Sequence, residues 1–291
     1  MNDFVSVCGL GDILARAGID SDRNFEDLYS DLIDGSNSEL LDAIGERVEE
    51  YFSELRLPNH PTVYDLLVLS LRDKDVIATF NWDPLLFRAC WRNHRLAAPP
   101  HVVYLHGNVA IGYCLKDRKK GLVGTACSIC GAAYVPSKLL YPVKRKGYNE
   151  DPFISREWKT LASALKNAFI LTIFGYAAPQ SDIEALELMA GAWGNVDSRE
   201  FEQTELIDIK PEDELRANWA RFIHTHHYDL RRSFHESWIG LHPRRSCEAA
   251  WQQFFGARFI STHPLPEAST LEELHAWFGP LLAAEGDGGR V

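Results

Sequence analysis

Long basic stretches are absent from this 291-residue sequence, in which 41 acidic residues outweigh 30 basic ones and give a formal net charge of −11. The densest basic segments are KDRKKG at 116–121 and VKRKG at 143–147, and both are short. Because neutralising a phosphate backbone requires a basic surface, direct nucleic-acid binding is not expected.

Long apolar runs are also missing, since none approaches the roughly 18 residues that span a bilayer. The opening residues, MNDFVSVCGL, lack the basic segment and the long apolar core of a secretory signal. The six cysteines are widely scattered, and without a signal peptide they are expected as reduced thiols or metal ligands. The sequence therefore predicts a cytoplasmic protein without membrane association.

Apolar periodicity predicts helices in the N-terminal part of the chain. The segment SELLDAIGERVEEYFSEL at 38–55 carries an apolar stripe at helical spacing, and TVYDLLVLSLR at 62–72 is also expected to be helical. The short run FVSV at 4–7 is a strand candidate, because its residues are mostly β-branched or aromatic.

Short β-rich apolar runs then alternate with helical segments. The four runs are VIATF at 76–80, VVYL at 102–105, FILTIF at 169–174 and ELIDI at 205–209. Their continuous apolar character is typical of strands that are buried on both faces of a parallel sheet. The alternation predicts an α/β fold with a doubly wound, Rossmann-like parallel sheet.

One α/β domain is expected to span residues 1–291. Residues 110–152 interrupt the alternation with glycine, proline, lysine and three cysteines, and are interpreted as a small inserted module. Residues 212–291 are expected to form a mainly helical C-terminal part.

Polar residues follow the predicted strands at their carboxyl ends, where open α/β sheets bind ligands. These residues are Asn81, Asp83, His106, Gly107, Gly175, Tyr176, Asp182 and Asp208. Such a set suits a nucleotide, because glycine permits close approach of the backbone and carboxylates accept hydrogen bonds from ribose hydroxyls. A histidine supplies proton transfer near neutral pH.

Each residue also has a structural interpretation that the sequence leaves open. Asn81 and Asp83 precede Pro84 and could form an Asx turn that caps a helix. His106 could be a hydrogen-bonded core residue, and Asp182 a helix N-terminal residue. Asp208 could begin a turn.

In their order along the chain, the segments TFNWDPLL, YLHG, CSICGAAYVPSKLLYP and LTIFGYAAPQSDIEA resemble the sirtuin-like superfamily. The resemblance is to its bacterial branch of stand-alone or defence-associated NAD-consuming proteins. It implies that Asn81, Asp83 and His106 are catalytic, and that NAD is the substrate. The cofactor-binding residues that it implies are Thr79, Gly107, Gly175, Tyr176, Asp182 and Asp208, together with Gly9 and Gly11.

The N-terminus departs from this family, which opens with a strand and a Gly-Ala-Gly loop that holds the cofactor phosphates. The segment VSVCGLGDILARAGI can be aligned as that loop with Gly9 and Gly11, but Asp12 then faces the phosphates. Alternatively, the segment is the helix that follows the loop, and the loop itself is absent. In that case another segment or another chain must supply it.

The cysteine module is a second departure, because zinc-bearing family members carry two Cys-x-x-Cys pairs. Cys127 and Cys130 form one pair, and Cys114 stands alone. Three thiolates are one ligand short of a closed zinc site, which Asp117 or a distant residue could complete. The alternative is a degenerate module with free thiols.

The resemblance favours an NAD hydrolase that breaks the nicotinamide–ribose bond, acting in bacterial antiviral defence within a larger complex. It implies a homo-oligomer, or a protein partner such as a ring ATPase or an Argonaute-like protein. The alternatives are a catalytically weak or inactive structural or sensor subunit, and an NAD-dependent protein deacylase.

Overall fold

A computed structural model describes residues 3–35, 37–141, 147–176, 182–195, 197–199, 203–223 and 227–288. Its strands are β1 Val76–Thr79, β2 His101–Tyr104, β3 Ile111–Tyr113, β4 Lys120–Leu122, β5 Val135–Pro136, β6 Ile170–Phe174, β7 Gln203–Ile207 and β8 Tyr228–Arg231. Its helices up to β6 are α1 Phe4–Val7, α2 Gly11–Arg16, α3 Phe25–Asp34, α4 Ser38–Glu54, α5 Val63–Ser70, α6 Leu85–Asn93 and α7 Pro152–Asn167. The later helices are α8 Ile183–Trp193, α9 Glu212–Asn218, α10 Trp238–Leu241, α11 Ser246–Phe254 and α12 Leu271–Gly288.

The four predicted parallel strands are confirmed as β1, β2, β6 and β7. β1 pairs with β2 in parallel, and β7 pairs in parallel with both β6 and β8. The described strands form two parallel sheets, ordered β1-β2 and β6-β7-β8, instead of the single sheet expected. β8 lies in the part of the chain that was expected to be mainly helical.

The sheets are covered by helices that bury a large apolar cluster. Helix α7 supplies Phe153, Trp158 and Leu161 to this cluster, where they meet Val103 and Leu105 of the β2 segment. Asp151 caps α7 by accepting a hydrogen bond from the Ile154 N–H. This packing fixes the carboxyl end of β2 against α7.

The strand prediction for FVSV at 4–7 is wrong, because these residues form α1. The N–H of Gly9 donates to the carbonyl of Ser6 at 3.1 Å, and the N–H of Leu10 donates to the carbonyl of Val5 at 2.9 Å. With a φ of +65° at Gly9, this pair of bonds is a Schellman motif, which ends a helix. The glycine therefore serves as a helix terminator.

The N-terminal helices form a separate apolar cluster. Leu10, Leu14, Phe25 and Ile44 are almost fully buried in it, and Trp82 packs against its edge. Val5 accepts helical geometry in α1 because its burial in this cluster outweighs its preference for strands. None of the described helices is long and apolar enough to cross a membrane.

Candidate nucleotide site and cysteine module

The loops that follow β1 and β2 begin at the same edge of their sheet. Thr79 lies opposite Tyr104 in the parallel register, and the Leu105 N–H donates to the carbonyl of Thr79 at 2.9 Å. The residues after Thr79 and those after Leu105 are therefore neighbours. This placement brings the Asn81–Asp83 loop to the His106–Gly107 loop.

The Asn81–Asp83 loop is a compact turn. The N–H of Asn81 donates to Thr79 Oγ1 at 3.0 Å, and the N–H of Leu85 donates to Asp83 Oδ1 at 2.9 Å. The capping interpretation of Asp83 is thus present at the start of α6. Burial raises the pKa of Asp83, and the bond from Leu85 opposes this rise. The Asn81 side chain is exposed and hydrogen bonds to Tyr64.

Asn108 connects the two loops and was not anticipated from the sequence. Its Nδ2 donates to the carbonyl of Asp83 at 2.5 Å and lies 3.5 Å from the carbonyl of Asn81. Its backbone N–H and carbonyl both bond to the hydroxyl of Ser137. Asn108 is 1% exposed, so these bonds are shielded from water. The only sequence signal was its position next to His106 and Gly107.

His106 is 6% exposed and lies within an aromatic cluster. Its Nε2 is 3.0 Å from the Tyr148 hydroxyl, and its ring meets the edge of Phe80 at a centroid distance of 4.8 Å. Burial raises the pKa of Tyr148, so the phenol keeps its proton. Tyr148 was also missed, because it lies far from His106 in sequence.

Gly107 is required by a close crossing of two backbones. Its φ is +81°, and an added Cβ would lie 2.0 Å from the carbonyl oxygen of Lys138. The N–H of Leu140 donates to the carbonyl of His106 at 2.9 Å. The segment that leaves the cysteine module therefore lies directly on the His106–Gly107 loop.

Tyr176 and Asp182 join the same region from the second sheet. The Tyr176 ring stacks on Phe80 at a centroid distance of 4.2 Å, and its hydroxyl donates to Asp182 Oδ2 at 2.7 Å. Gly175 has a φ of +62°, and its N–H donates to the carbonyl of Ile207 at 3.0 Å. Residues 177–181 of this motif lie outside the described residues. The carboxyl ends of β1 and β6 thus face each other.

Asp208 follows β7 and forms a turn, because its Oδ1 accepts a hydrogen bond from the Lys210 N–H at 3.1 Å. The turn interpretation is therefore present, and a second carboxylate oxygen remains for a ligand. Gly9 and Gly11 differ from the other predicted residues, because they follow a helix instead of a strand. The Schellman bonds use the N–H groups of Gly9 and Leu10, so these two groups are not available to a phosphate in this conformation. A role of Gly9 and Gly11 in cofactor binding stays a prediction.

The cysteine module consists of β3, β4 and β5 with two turns of matching geometry. In the first turn the Gly131 N–H donates to the carbonyl of Cys127 at 2.9 Å, and the Cys127 N–H donates to Ala132 at 2.8 Å. Gly131 has a φ of +74°. This turn contains the Cys127–Cys130 pair.

The second turn repeats these contacts around Cys114. The Arg118 N–H donates to the carbonyl of Cys114, and the Cys114 N–H donates to Lys119, both at 2.8 Å. Arg118 takes the left-handed position with a φ of +54°. Asp117 therefore occupies the position that Cys130 holds in the first turn. The sequence motif of the second turn is Cys-x-x-Asp, whereas that of the first turn is Cys-x-x-Cys.

The side chains of the two turns converge as a candidate metal centre. One ligand atom from each of Cys114, Asp117, Cys127 and Cys130 lies within 4.8 Å of the others. Cys114 Sγ is 3.6 Å from Cys130 Sγ, and Asp117 Oδ2 is 3.4 Å from Cys127 Sγ. Tetrahedral zinc would separate two sulfurs by roughly 3.8 Å, and a sulfur and an oxygen by about 3.5 Å. The four residues therefore fit a structural zinc ion.

Fold and site together define an α/β protein with parallel sheets, polar loops gathered at their carboxyl edge, and a small cysteine module beside them. No protein-family model matches the chain, and no curated protein matches it. Solved Sir2 structures do match at the level of general fold.

A Sir2–p53 peptide–NAD⁺ complex is 15% identical, covers 89% of this chain and 99% of its own, and has a TM-score of 0.37. Sir2Tm bound to a propionylated peptide is 17% identical, covers 68% and 78%, and has a TM-score of 0.34.

Proposed function

We propose that this protein is an NAD-consuming hydrolase that cleaves the bond between nicotinamide and ribose. The observation that supports this most is the joint placement of the loops after β1 and β2. Asn81 is exposed there, His106 lies behind Phe80, and Asn108 ties the two loops together. The resemblance of these motifs to the sirtuin-like superfamily supplies the identity of the nucleotide.

In the proposed reaction the glycosidic bond between the nicotinamide nitrogen and ribose C1′ breaks, and a water oxygen bonds to C1′. The products are nicotinamide, ADP-ribose and one proton. The exposed Asn81 amide would position the ribose or the water, and His106 would take up the proton that the water releases. The half-buried Asp83 would orient the Asn81 loop through its bond to the Leu85 N–H.

Zinc would be held by three thiolates and Asp117 in the cysteine module. Its contribution there is structural, because a four-ligand site leaves no open position for substrate. The segment leaving the module lies against Gly107, so the metal would help to order the His106–Gly107 loop.

The proposal includes an assembly. The resemblance suggests bacterial antiviral defence, as a homo-oligomer or with a partner such as a ring ATPase or an Argonaute-like protein. A catalytically weak or inactive subunit is the second candidate, favoured by one observation: the Gly9 and Leu10 N–H groups are used within the Schellman motif and are not available to phosphates.

The test is NAD loss over time with purified protein, alone and with any co-purifying partner. His106→Ala and Asn81→Ala are each expected to slow NAD loss by about 100-fold or more, the scale of a lost proton-transfer or positioning group. His94→Ala is the matched control, because His94 is exposed at the end of α6. Unchanged turnover in both variants would exclude this site, and acyl-lysine peptide turnover coupled to NAD loss would reassign the enzyme as a deacylase.

A further inference from the structure

Helix α11 carries its small apolar residues inside and its large ones outside. Ala249 and Ala250 are 2% and 0% exposed and pack against Trp238. Trp251 and Phe254, on the outer side of the helix, are 51% and 44% exposed. A surface helix ordinarily places its large apolar side chains on the stripe that it buries. The outer side of α11 therefore has the composition of a contact surface.

The exposed aromatic residues of α11 continue into neighbouring segments. Trp251 stacks on Phe255 at a centroid distance of 4.2 Å, and Phe169, just before β6, meets the two rings at 5.4 and 6.1 Å. Phe259 lies beyond the end of α11 and is 83% exposed, and the residue after it packs on the same apolar cluster. The aromatic patch is defined here as Phe169, Trp251, Phe254, Phe255 and Phe259.

The exposed area of the aromatic patch is large enough for an interface. Trp251, Phe254 and Phe259 together expose the equivalent of nearly two whole side chains, or about 350 Å² at roughly 200 Å² for each side chain. Contiguous apolar surfaces of this extent commonly mark interaction sites on soluble proteins. Two copies that met there would bury about 700 Å² from these side chains alone. Surrounding residues would supply the rest of the roughly 1000 Å² that a specific interface needs.

The centre of the aromatic patch is uncharged. Residues 249–257, AAWQQFFGA, include no lysine, arginine, aspartate or glutamate. Glu248, which precedes them, forms ion pairs with Arg72 and Lys74, and the exposed Arg258 follows them at the rim. Two copies of a chain with a net charge of −11 repel one another, and an uncharged apolar area is where they can meet without adding to that repulsion. A strongly charged partner would gain no electrostatic attraction at such a surface, so its composition favours a second copy.

We infer that this protein forms a two-fold symmetric dimer through the aromatic patch, with α11 of one copy packed against α11 of the other. In such an interface each copy contributes the same surface, so one apolar patch is sufficient. Aromatic side chains provide much contact area for few rotatable bonds and dominate the energetics of many interfaces. The resemblance suggests a homo-oligomer but indicates no surface for it, and the aromatic patch supplies one.

The dimer would leave the candidate nucleotide site open. Phe169 connects the aromatic patch to the amino end of β6, whereas the polar loops of the candidate site follow the carboxyl ends of the strands. The inference rests on the exposure, contacts and charge of the patch and does not depend on the proposed function. Dimerisation and NAD loss are therefore measured separately.

The test is sedimentation velocity of the full chain over a range of about 1 to 200 µM, where a reversible dimer is expected to form. Trp251→Glu should weaken dimerisation by about 100-fold, because a charge would replace a central aromatic contact. Phe259→Asp should weaken it by about tenfold, and this residue lies outside α11, so its replacement leaves the helix intact.

Trp91→Glu is the matched control, because it makes the same substitution at another exposed tryptophan. Trp91 is 65% exposed, lies on α6 and stacks on His94 at a centroid distance of 5.0 Å. Its replacement should change the dimer dissociation constant by less than about twofold. Raising the salt concentration from about 0.1 to 0.5 M should leave the dimer intact, since the centre of the interface carries no charge to be screened.

Amide hydrogen exchange locates the interface. Exchange in Ser246–Phe254 should slow as the protein concentration is raised, and the Trp251→Glu chain should show no such change. A chain that stays monomeric over the whole range would overturn the inference. So would a dimer that persists in both patch variants, that Trp91→Glu weakens equally, or that protects other segments instead. His106→Ala should dimerise like the original chain, so a dimer without any NAD loss would contradict only the proposed hydrolase.

Discussion

The cysteine module and the sheet-edge site are built in different ways. The module places its four candidate ligands on two short turns, Cys114–Asp117 and Cys127–Cys130, which repeat the same backbone bonds. The sheet-edge site gathers side chains from loops after β1, β2 and β6, and depends on two sheets that the described chain does not join. A site made from local turns is complete within one segment, whereas a site made from a sheet requires every strand.

Two glycines with nearly the same φ provide the largest expected contrast between these regions. Gly107 has a φ of +81° and Gly124 of the module a φ of +83°, but an added Cβ meets the Lys138 carbonyl at 2.0 Å only at Gly107. We expect Gly107→Ala to lower the free energy of unfolding by roughly 3–5 kcal/mol, since two backbones must separate. Gly124→Ala should cost about 1 kcal/mol from backbone strain alone.

Denaturant unfolding of the two variants measures this difference. If both substitutions lower the free energy of unfolding equally, the contact between Gly107 and the Lys138 carbonyl is not tight. The sheet-edge site would then tolerate an added Cβ as well as the module does.

A buried carboxylate in the sheet provides the second contrast. Glu205 of β7 is fully buried, accepts a hydrogen bond from the Trp238 N–H at 2.8 Å, and has its pKa raised by burial to about 7. Between about pH 4.5 and 7 the folded state holds a proton that the unfolded state has released. The free energy of unfolding should therefore fall by about 3 kcal/mol as the pH rises through this window.

Glu205→Gln should remove this component of the pH dependence, because an amide does not titrate. The comparison is between unfolding curves of both chains at several pH values. If the free energy of unfolding falls equally with rising pH in both chains, the effect belongs to other groups.

The module's own carboxylate provides the smallest and most specific contrast. Asp117 takes the position of the second cysteine of a pair, so Asp117→Cys should tighten zinc binding on the order of tenfold, since thiolate is the softer ligand. Asp117→Ala should weaken it by a similar factor. Competition with a chromophoric chelator measures both affinities, and equal affinities in the three chains would remove Asp117 from the ligand set.

The sequence predicted the parts of the fold that rest on local patterns. The apolar runs at 76–80 and 169–174 formed β1 and β6 because β-branched residues pack well in a covered parallel sheet. The apolar stripe at 38–55 formed α4 because apolar residues at helical spacing lie together on one buried face. FVSV was misassigned, because four residues carry too little periodicity to outweigh the Schellman bonds at Gly9 and the burial of Val5.

Contacts between distant segments lay beyond prediction. Asn108 is marked in the sequence only by its position next to His106 and Gly107, and its contact with the Asn81–Asp83 loop depends on the register of β1 and β2. Nothing near Tyr148 in the sequence indicates that it reaches His106. The equivalence of Asp117 and Cys130 was left open because it appears only when both turns are compared as backbones. The gap between β1 and β6 likewise depends on how the two sheets are placed.

The segment at 137–140 has one further consequence. It leaves the cysteine module, and its Ser137 hydroxyl accepts a hydrogen bond from the Asn108 N–H. Its Leu140 N–H donates to the carbonyl of His106. Metal and nucleotide would thus act on a shared stretch of chain, and thermodynamic linkage requires their effects to be reciprocal. If zinc raises the affinity for the nucleotide by some factor, the nucleotide must raise the affinity for zinc by the same factor. The zinc content of a preparation would then affect the nucleotide concentration at which the site is half occupied.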